Sequence, residues 1–581
     1  MGCGDRMIPE EKGESGFTIR ALIIAVLLTL FLVSSSSYIA LRLGALPWPI
    51  IFSVIVAGAV LKLFKTTTHE INVAQAGGTI GGLLASGVVF TIPGILYLQR
   101  TEGLAIDIPS WWVLALVCIA GGTLGVLLSI PVRRAFIDEE DLPYPSGAAG
   151  AEVLKAEFFG GKHAYIVAFV GLLAGIFAVS RDMWFPAGFA LTGLATYGIF
   201  FSIYPMPLGV GIGYILGPKA SVNSWFSGSV VGWVIIIPYL IRTGWGGDPV
   251  KLVQELGMGF VLGSGIGFFV GYAVPRAKAI FLPLFTWKGA PWYTRMTPVV
   301  SVIAFVILAL VGVPVLAAFL SVAGVWIMAT VAARMTGETN IDPLEQFGII
   351  IGLLCLGVYA VMNQELGYLP AFLLVCFVSV GAALAGDIGQ DYKSAKMLGT
   401  KPKDIIKVDF ICAVVAGIAA PFVLEIILKG YSGVMFTAEM PAPQAVLVAG
   451  SIFGFKYPSV FLAGFGIAFV VEIVQRALKK VLPVSLMAFG IGMFLGLTLG
   501  FLLFIGGIIR WYVDRRAPDS YQQGVLYAAG LMGGEGISGF VTAALFVAGI
   551  AMVSAQRILL AVFVILLAIT FVVYTLRRRN Q

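Results

Sequence analysis

The chain reads as an all-α polytopic membrane protein with about 14–16 transmembrane helices, re-entrant hairpins and a two-half internal repeat. Three observations carry that reading. The chain is 59% hydrophobic and only 12% charged, whereas about a quarter of the residues in soluble domains are charged. Runs of roughly 20 apolar residues, enough to span a bilayer, recur from residue 19 to residue 576. These runs are continuous rather than alternating, which selects helices over a closed barrel. Only those two structures satisfy their own backbone hydrogen bonds in lipid.

Residues 1–18 are polar, lack a cleavable signal pattern and read as a cytoplasmic tail. Apolar segments follow near 19–41, 46–64, 71–97, 111–131, 163–179, 184–204, 225–241 and 254–274. A first membrane half is therefore placed at 19–296. The second half, 297–576, holds segments near 297–313, 315–333, 346–362, 368–386, 408–428, 459–475, 484–505, 522–546 and 557–576. Shorter pieces lie at 205–217 and 442–455, and 577–581 form a C-terminal tail. The 72 glycines suit close helix packing and broken helices.

Basic residues set the orientation. Lys62 and Lys65 follow the second span, and Arg133, Arg134, Lys155 and Lys162 follow the fourth. Arg276, Lys278, Lys288 and Arg295 follow the segment ending near 274. Lys393, Lys396, Lys401, Lys403 and Lys407 follow the one ending near 386. Counted crossing by crossing, all face the cytoplasm with both termini, in a plasma-membrane protein. Arg476, Lys479 and Lys480 fit only if 442–475 crosses once. Arg577–Arg579 fit only if one segment between 484 and 554 enters and returns, and 205–217 must do the same. Non-helical backbone of this kind is tolerated only where it lines a protein-buried cavity.

Residues 70–88 and 340–358 echo one another at an offset of 270. Glu70-Ile-Asn72-Val-Ala-Gln75 answers Asn340-Ile-Asp342-Pro-Leu-Glu345. Both segments leave the cytoplasmic side, which favours parallel halves. The net charge of +7 is modest and clusters beside spans, so lipid rather than nucleic acid explains it. The five cysteines form no CxxC pair and there are two histidines, so neither disulfides nor a metal site is expected.

Ionisable groups beside apolar runs mark ion or substrate paths. Gly337-Glu338-Thr-Asn340-Ile-Asp342-Pro-Leu-Glu345 holds three carboxylates. Asp342, Pro343 and Glu345 fit an Asp version of the capping box, which leaves Glu338 and Asn340 unexplained. In Asp387-Ile-Gly-Gln390-Asp391-Tyr-Lys393, the two aspartates sit four apart, on one helix face, where like charges suit a proton site. Leu142-Pro-Tyr144-Pro-Ser146-Gly147 reads as a rigid turn before a close-packed helix carrying Glu152. Glu535 stands in a glycine-rich break at 533–539, whose formal G-x-G-x-x-G lacks the strand a dinucleotide site needs. Gln75 and Gln444 are polar residues in apolar surroundings. No P-loop appears, and no nucleophile–base pair marks an enzyme.

Taken together, these blocks resemble the oligopeptide transporter (OPT) superfamily, on the branch with prokaryotic and yellow-stripe-like members. Leu142–Gly147, Gly337–Pro343, Asp387–Lys393, Met440-Pro-Ala-Pro-Gln444 and Gly534-Glu535 carry the resemblance, in order along the chain. The S-P-Y-x-E-V-R and K-I-P-P-R motifs of the fungal and plant peptide branch do not occur. The resemblance implies proton-coupled symport of small peptides or peptide-like metal-chelate complexes, with the chelator holding the metal and no cofactor. Proton-coupling candidates are Glu338, Asp387, Asp391 and Glu535. Substrate-path candidates are Asn340, Asp342, Gln390, Tyr144, Ser146, Glu152, Gln75, Asn72 and Gln444. The expected partners are a small-molecule substrate, protons, membrane lipid and, as one possible assembly, a homodimer. A passive solute channel and a non-transporting scaffold remain open as alternatives.

Overall fold

A computed structural model of the chain describes residues 13–44, 49–62, 66–155, 161–185, 188–273, 275, 278, 296–340, 342, 344–437, 439–478 and 482–579. Cys3, Lys65, Arg276, Lys288, Arg295, Pro343, Lys479 and Lys480 lie outside these residues. The architecture is helical, with a single two-stranded sheet among the described residues. Among the described residues, fourteen helices are long and apolar enough to cross a membrane, and Thr297–Leu310, Pro443–Phe453 and Leu486–Leu495 are shorter apolar helices. Large apolar side chains such as Ile19, Leu310, Val361 and Ile569 remain exposed, as lipid-facing residues would.

The chain forms two compact units, each drawn from both halves of the sequence. Unit 1 comprises 1–33, 49–161 and 275–424, and unit 2 comprises 34–48, 162–274 and 425–581.

In unit 1 the central element is Tyr368–Leu398, a 31-residue helix buried along most of its length. Thr68–Val89 runs antiparallel to it, with Asn72 at Ser394, Gln75 at Asp391 and Gly87 at Val380. Leu344–Val361 does likewise, with Gly348 against Ser379 and Val375, and Gly352 against Val375. The two helices that echo each other in sequence are therefore parallel. The capping box expected at Asp342–Glu345 does not form, because neither Asp342 oxygen accepts a hydrogen bond from a described residue. A complete box forms instead at Thr67 and Glu70, ahead of Thr68–Val89.

Unit 2 departs from the expected segments in one place and reverses without crossing, as expected, in another. Residues 184–204 are not a span. Gly188 and Gly198 take positive φ (64° and 79°) and turn the chain into a small hairpin, Phe189–Ala190 pairing with Ser202–Ile203. Next, Pro207–Arg242 is helical throughout except at Gly217 (φ 76°, ψ 172°), where the chain reverses. The neighbouring Leu497–Arg516 helix shows this reversal. Its Leu502, Gly506 and Arg510 meet Gly209, Gly213 and Tyr214 in ascending order. Its Gly500 and Gly507 meet Ser229 and Ser221, in descending order. The first limb has 11 residues to Gly217, about 16 Å at 1.5 Å per residue. That is half the ~30 Å of a bilayer core.

Leu486–Leu495 and Leu497–Arg516 form a second hairpin, broken at Gly496 (φ 88°, ψ 179°). Ser485, Phe489 and Met493 meet Ser224, Gly228 and Trp233 in ascending order, so the short limb runs opposite to Leu497–Arg516. The two breaks share a sequence, Gly211-Ile-Gly-x-x-Leu-Gly217 and Gly490-Ile-Gly-x-x-Leu-Gly496.

Candidate functional site

A buried polar cluster containing sequence-predicted residues stands in each unit. In unit 1, three of the sequence blocks converge on the end of Tyr368–Leu398. Asn340 ends Val315–Thr339 in the left-handed conformation (φ 60°) that helix C-termini favour. Its Oδ1 accepts from the Ser146 amide (3.2 Å), the Ser146 hydroxyl (2.8 Å) and Gln390 Nε2 (2.9 Å). Gln390 Oε1 accepts in turn from the Gly147 amide at 2.8 Å. Tyr144 is fully buried and donates its hydroxyl to the Ala333 carbonyl at 2.7 Å. Its ring lies where a side chain at Gly389 would stand, and the Gln390 carbonyl lies where one at Gly147 would. The glycines are thus fixed by close approach.

Beside this junction runs a row of acids. Asp391 accepts from Gln75 Nε2 at 2.7 Å and contacts the Thr79 hydroxyl at 3.3 Å. Thr79 has one proton, and its shorter bond, 2.7 Å, goes to the Ala76 carbonyl. Asp387, half-buried one turn earlier, lies within electrostatic reach of Asp391 and Asp342. Burial, then the charges of Asp387 and Glu345, push the Asp342 carboxyl well above the usual carboxylate range. Asp409, on Pro402–Gly430, is wholly buried within reach of Asp391, and neither of its oxygens has a donor among the described residues. Gln75 Oε1 is a further buried acceptor without a donor. Asn72 bridges Ser394 (2.8 Å) and Thr400 (3.3 Å).

Two candidates in unit 1 sit apart from this row. Glu338 pairs with Arg334 at 3.2 Å, and Arg334 also holds Glu140 at 2.8 Å. Glu152 is exposed and pairs with Lys155 at 3.1 Å. Lys396 and Lys393 both clasp Asp141 (2.7 and 3.0 Å) and hold its carboxyl below the usual range.

In unit 2, Glu535 is completely buried. It stands on a continuous helix, Tyr521–Val547, rather than in a glycine-rich break. The glycines serve packing: Gly534 meets the Gly171 carbonyl, and Gly536 meets Ser35 and Ile39. Glu535 binds Arg181 at 2.8 Å and accepts the Leu208 amide at 2.9 Å, an open donor at the start of Pro207–Ala220. Arg181 also pairs with Asp182 (2.7 Å), binds the Pro205 carbonyl (3.0 Å) and stacks on Tyr204 (4.3 Å). The Tyr204 hydroxyl donates to Asp182. Gln444 bonds the Gly44 carbonyl at 3.0 Å, as interhelical glue. A cavity of about 470 Å³ opens beside this cluster, lined by Tyr204, Trp233, Thr437, Glu439, Gly496 and Thr498, among others. The backbone break at Gly496 thus faces a cavity, where irregular membrane backbone is tolerated.

Sequence reasoning missed Asp409, Arg42, Arg181, Asp182, Tyr204 and Glu439. Asp409, Arg42 and the Arg181-Asp182 pair carried a usable signal, an ionisable residue within or at the end of an apolar run. Cys118, Cys355, Cys376 and Cys412 are buried free thiols. Among the described residues, no three His, Cys, Asp or Glu side chains converge to hold a metal ion.

Comparison with known proteins follows the same lines. The family described as "OPT oligopeptide transporter protein" matches residues 16–286 and 289–546. A Haemophilus influenzae protein named "Putative oligopeptide transporter" is 26% identical, covering 88% of this chain and 93% of its own length. The "Probable metal-nicotianamine transporter YSL11" of Oryza sativa subsp. japonica is 22% identical, covering 73% of this chain and 70% of its own. The "Probable metal-nicotianamine transporter YSL13" of the same plant is 23% identical, covering 73% and 68%. The chain therefore belongs to the OPT oligopeptide transporter family.

Proposed function

We propose that the protein is a secondary transporter of the plasma membrane that couples inward proton movement to import of small peptides or peptide-like metal-chelate complexes. The observation that carries this reading is a surplus of buried acceptors around Asp391. Among the described residues, both oxygens of Asp409 and Oε1 of Gln75 lack donors, and Thr79 has one proton for two acceptors. A buried ionised carboxylate without donors costs several kcal/mol, so bound protons supply what the site lacks. A rearrangement that brings water or a donor to these acids lowers their proton affinity. Proton binding then favours one state over the other, which is all that coupling requires. Glu338 is already paired with Arg334, so coupling is assigned to Asp387, Asp391 and Asp409 ahead of it.

The charge count places the termini and the Asn340–Gln390 junction at the cytoplasmic face. The count still closes with the observed elements, because Pro207–Arg242 and Leu486–Arg516 each turn back. The parallel course of Thr68–Val89 and Leu344–Val361 supports duplicated halves at 19–296 and 297–576.

The test is uptake of trialanine and of nickel–nicotianamine into proteoliposomes. An imposed inward proton gradient should accelerate uptake of at least one several-fold, and a sodium gradient should not. Asp409→Asn and Asp391→Asn should abolish the acceleration while leaving counterflow. Equal rates with the proton gradient collapsed, or acceleration by sodium alone, would remove proton coupling.

A further inference from the structure

In unit 1 the residues just ahead of the Ile19–Leu43 helix form a strap across the ends of three other helices. Glu14 bridges in parallel to Thr400, with its amide on the Gly399 carbonyl (2.8 Å) and its carbonyl on the Lys401 amide (3.0 Å). Asp404 accepts from the Ser15 hydroxyl (2.6 Å) and from the Gly16 and Phe17 amides (3.1 and 3.3 Å). A Cβ at Gly16 would stand 2.2 Å from the His69 carbonyl, so the strap lies backbone against backbone on the start of Thr68–Val89. The strap thus joins that helix to the end of Tyr368–Leu398 and the start of Pro402–Gly430. Those three helices carry Gln75, Asp391 and Asp409.

His69 stands at the centre of this joint. Its Nε2 lies 3.3 Å from the Glu14 carboxylate and its Nδ1 lies 3.0 Å from the Thr400 hydroxyl. Asn72 Nδ2 donates to the same hydroxyl at 3.3 Å. The Ser394 hydroxyl reaches both Asn72 Oδ1 (2.8 Å) and the Asp391 carbonyl (2.9 Å). A continuous line of hydrogen bonds therefore runs from the strap to the acid row. The other charges at the joint answer one another. Glu70 binds Arg20 at 3.0 Å and Thr66 at 2.7 Å. Lys407 stands 3.7 Å from Asp404 and lies over the Phe17 ring at 5.2 Å, and Lys401 follows Thr400 in the chain. Glu14 is the one charged group bonded to the imidazole among the described residues. A neutral imidazole satisfies both neighbours, with Nε2–H donating to Glu14 and Nδ1 accepting the Thr400 proton. A protonated one donates at both nitrogens, and the Glu14 contact becomes an ion pair. Imidazoles take up that proton near pH 6.5, so the ion pair holds the strap at pH 6 and is lost by pH 7.5.

We propose that the strap is a pH-responsive latch. Protonated His69 locks it on Glu14, holds the ends of the three helices together and slows release of solute and protons at that end. The assignment rests on the transport reading above, with the strap on the cytoplasmic face. Protons delivered by transport then tighten the latch, a feedback that limits acid loading. An ion pair with one exposed partner is weak, so the modulation is a few-fold change rather than an on–off switch.

The first test uses the purified full-length chain and no substrate. Hydrogen exchange of the Gly16 and Phe17 amides, corrected for the pH dependence of free-amide exchange, should be about threefold slower at pH 6.0 than at pH 7.5. His69→Gln keeps a hydrogen-bonding side chain that cannot charge, and Glu14→Gln alters an exposed carboxylate. Each should remove the difference. Uptake into proteoliposomes with the strap facing the lumen reads the consequence. At constant outer pH, the wild-type rate divided by the His69→Gln rate should fall about two- to threefold as the lumen goes from pH 7.5 to 6.0. The change in gradient is common to both chains and cancels in the ratio. Strap protection that is independent of pH in the wild type would overturn the proposal. So would protection that keeps its full pH dependence in Glu14→Gln or His69→Gln, or a rate ratio that stays constant. Exchange is read without transport, so the latch can fail with proton coupling intact, and coupling can fail with pH-dependent protection intact.

Discussion

Asn340 shows how one side chain can join three distant segments. Its left-handed backbone ends a helix, and its carbonyl oxygen gathers donors from Ser146 and Gln390. Gln390→Ala leaves the buried Gly147 amide without its acceptor, which costs about 1–3 kcal/mol. Asn340→Gly keeps the backbone but loses the same hub. Thermal unfolding of the two single variants and the double should therefore be non-additive, with a coupling of about 1 kcal/mol. Strict additivity would mean the two side chains do not act together. Asp342 makes the opposite case, a carboxyl that burial and its acidic neighbours disfavour as an anion. Below the ordinary aspartate value, about 3.9, folded and unfolded chains both hold the proton and there is no penalty. As pH rises past that value, the unfolded chain ionises freely while the folded one resists, so stability falls. Asp342→Asn should thus raise the melting temperature by about 2–4 °C at pH 7.5, the effect of ~1 kcal/mol. The gain should shrink as pH falls toward 4.5. A constant gain across that range would point to packing rather than charge.

At the scale of elements, the two broken helices of unit 2 are set by single glycines. Gly217 and Gly496 take φ of 76° and 88° with ψ of 172° and 179°, a region essentially confined to glycine. No atom would meet a Cβ at Gly217, so the constraint there is conformational and not steric. Gly217→Ala should cost about 1–3 kcal/mol and lower the melting temperature accordingly. Gly103→Ala is a control with equal space and a positive φ of 66°, and a left-handed residue there should cost about 1–2 kcal/mol. Equal losses at the two sites would argue against a strained reversal at Gly217. The Tyr521–Val547 helix teaches a related lesson, since its glycine run reads as a break but folds as a straight contact face. In sequence the two uses of glycine look alike. The neighbour that fills the groove decides between them.

At the scale of the whole molecule, family membership, two compact units and fourteen candidate spans among the described residues describe a polytopic transporter. The number of spans and their apolar character were legible in the sequence. Partition into lipid depends on a local run of about 20 residues and on the charges at its ends, both of which are contiguous in the chain. The same logic anticipated reversal without crossing near 205–217 and between 484 and 554, and located the polar blocks that meet around Asn340 and Gln390. It failed at 184–204, where apolar composition concealed a turn-rich hairpin. What only the tertiary structure decided is which charges are answered. Gln75 reaches Asp391 across 316 residues and Arg181 reaches Glu535 across 354, while Asp409 finds no donor among the described residues. A sequence states that an ionisable group is present. Its charge state and role follow from the donors and acceptors within hydrogen-bond reach, and folding alone brings those together.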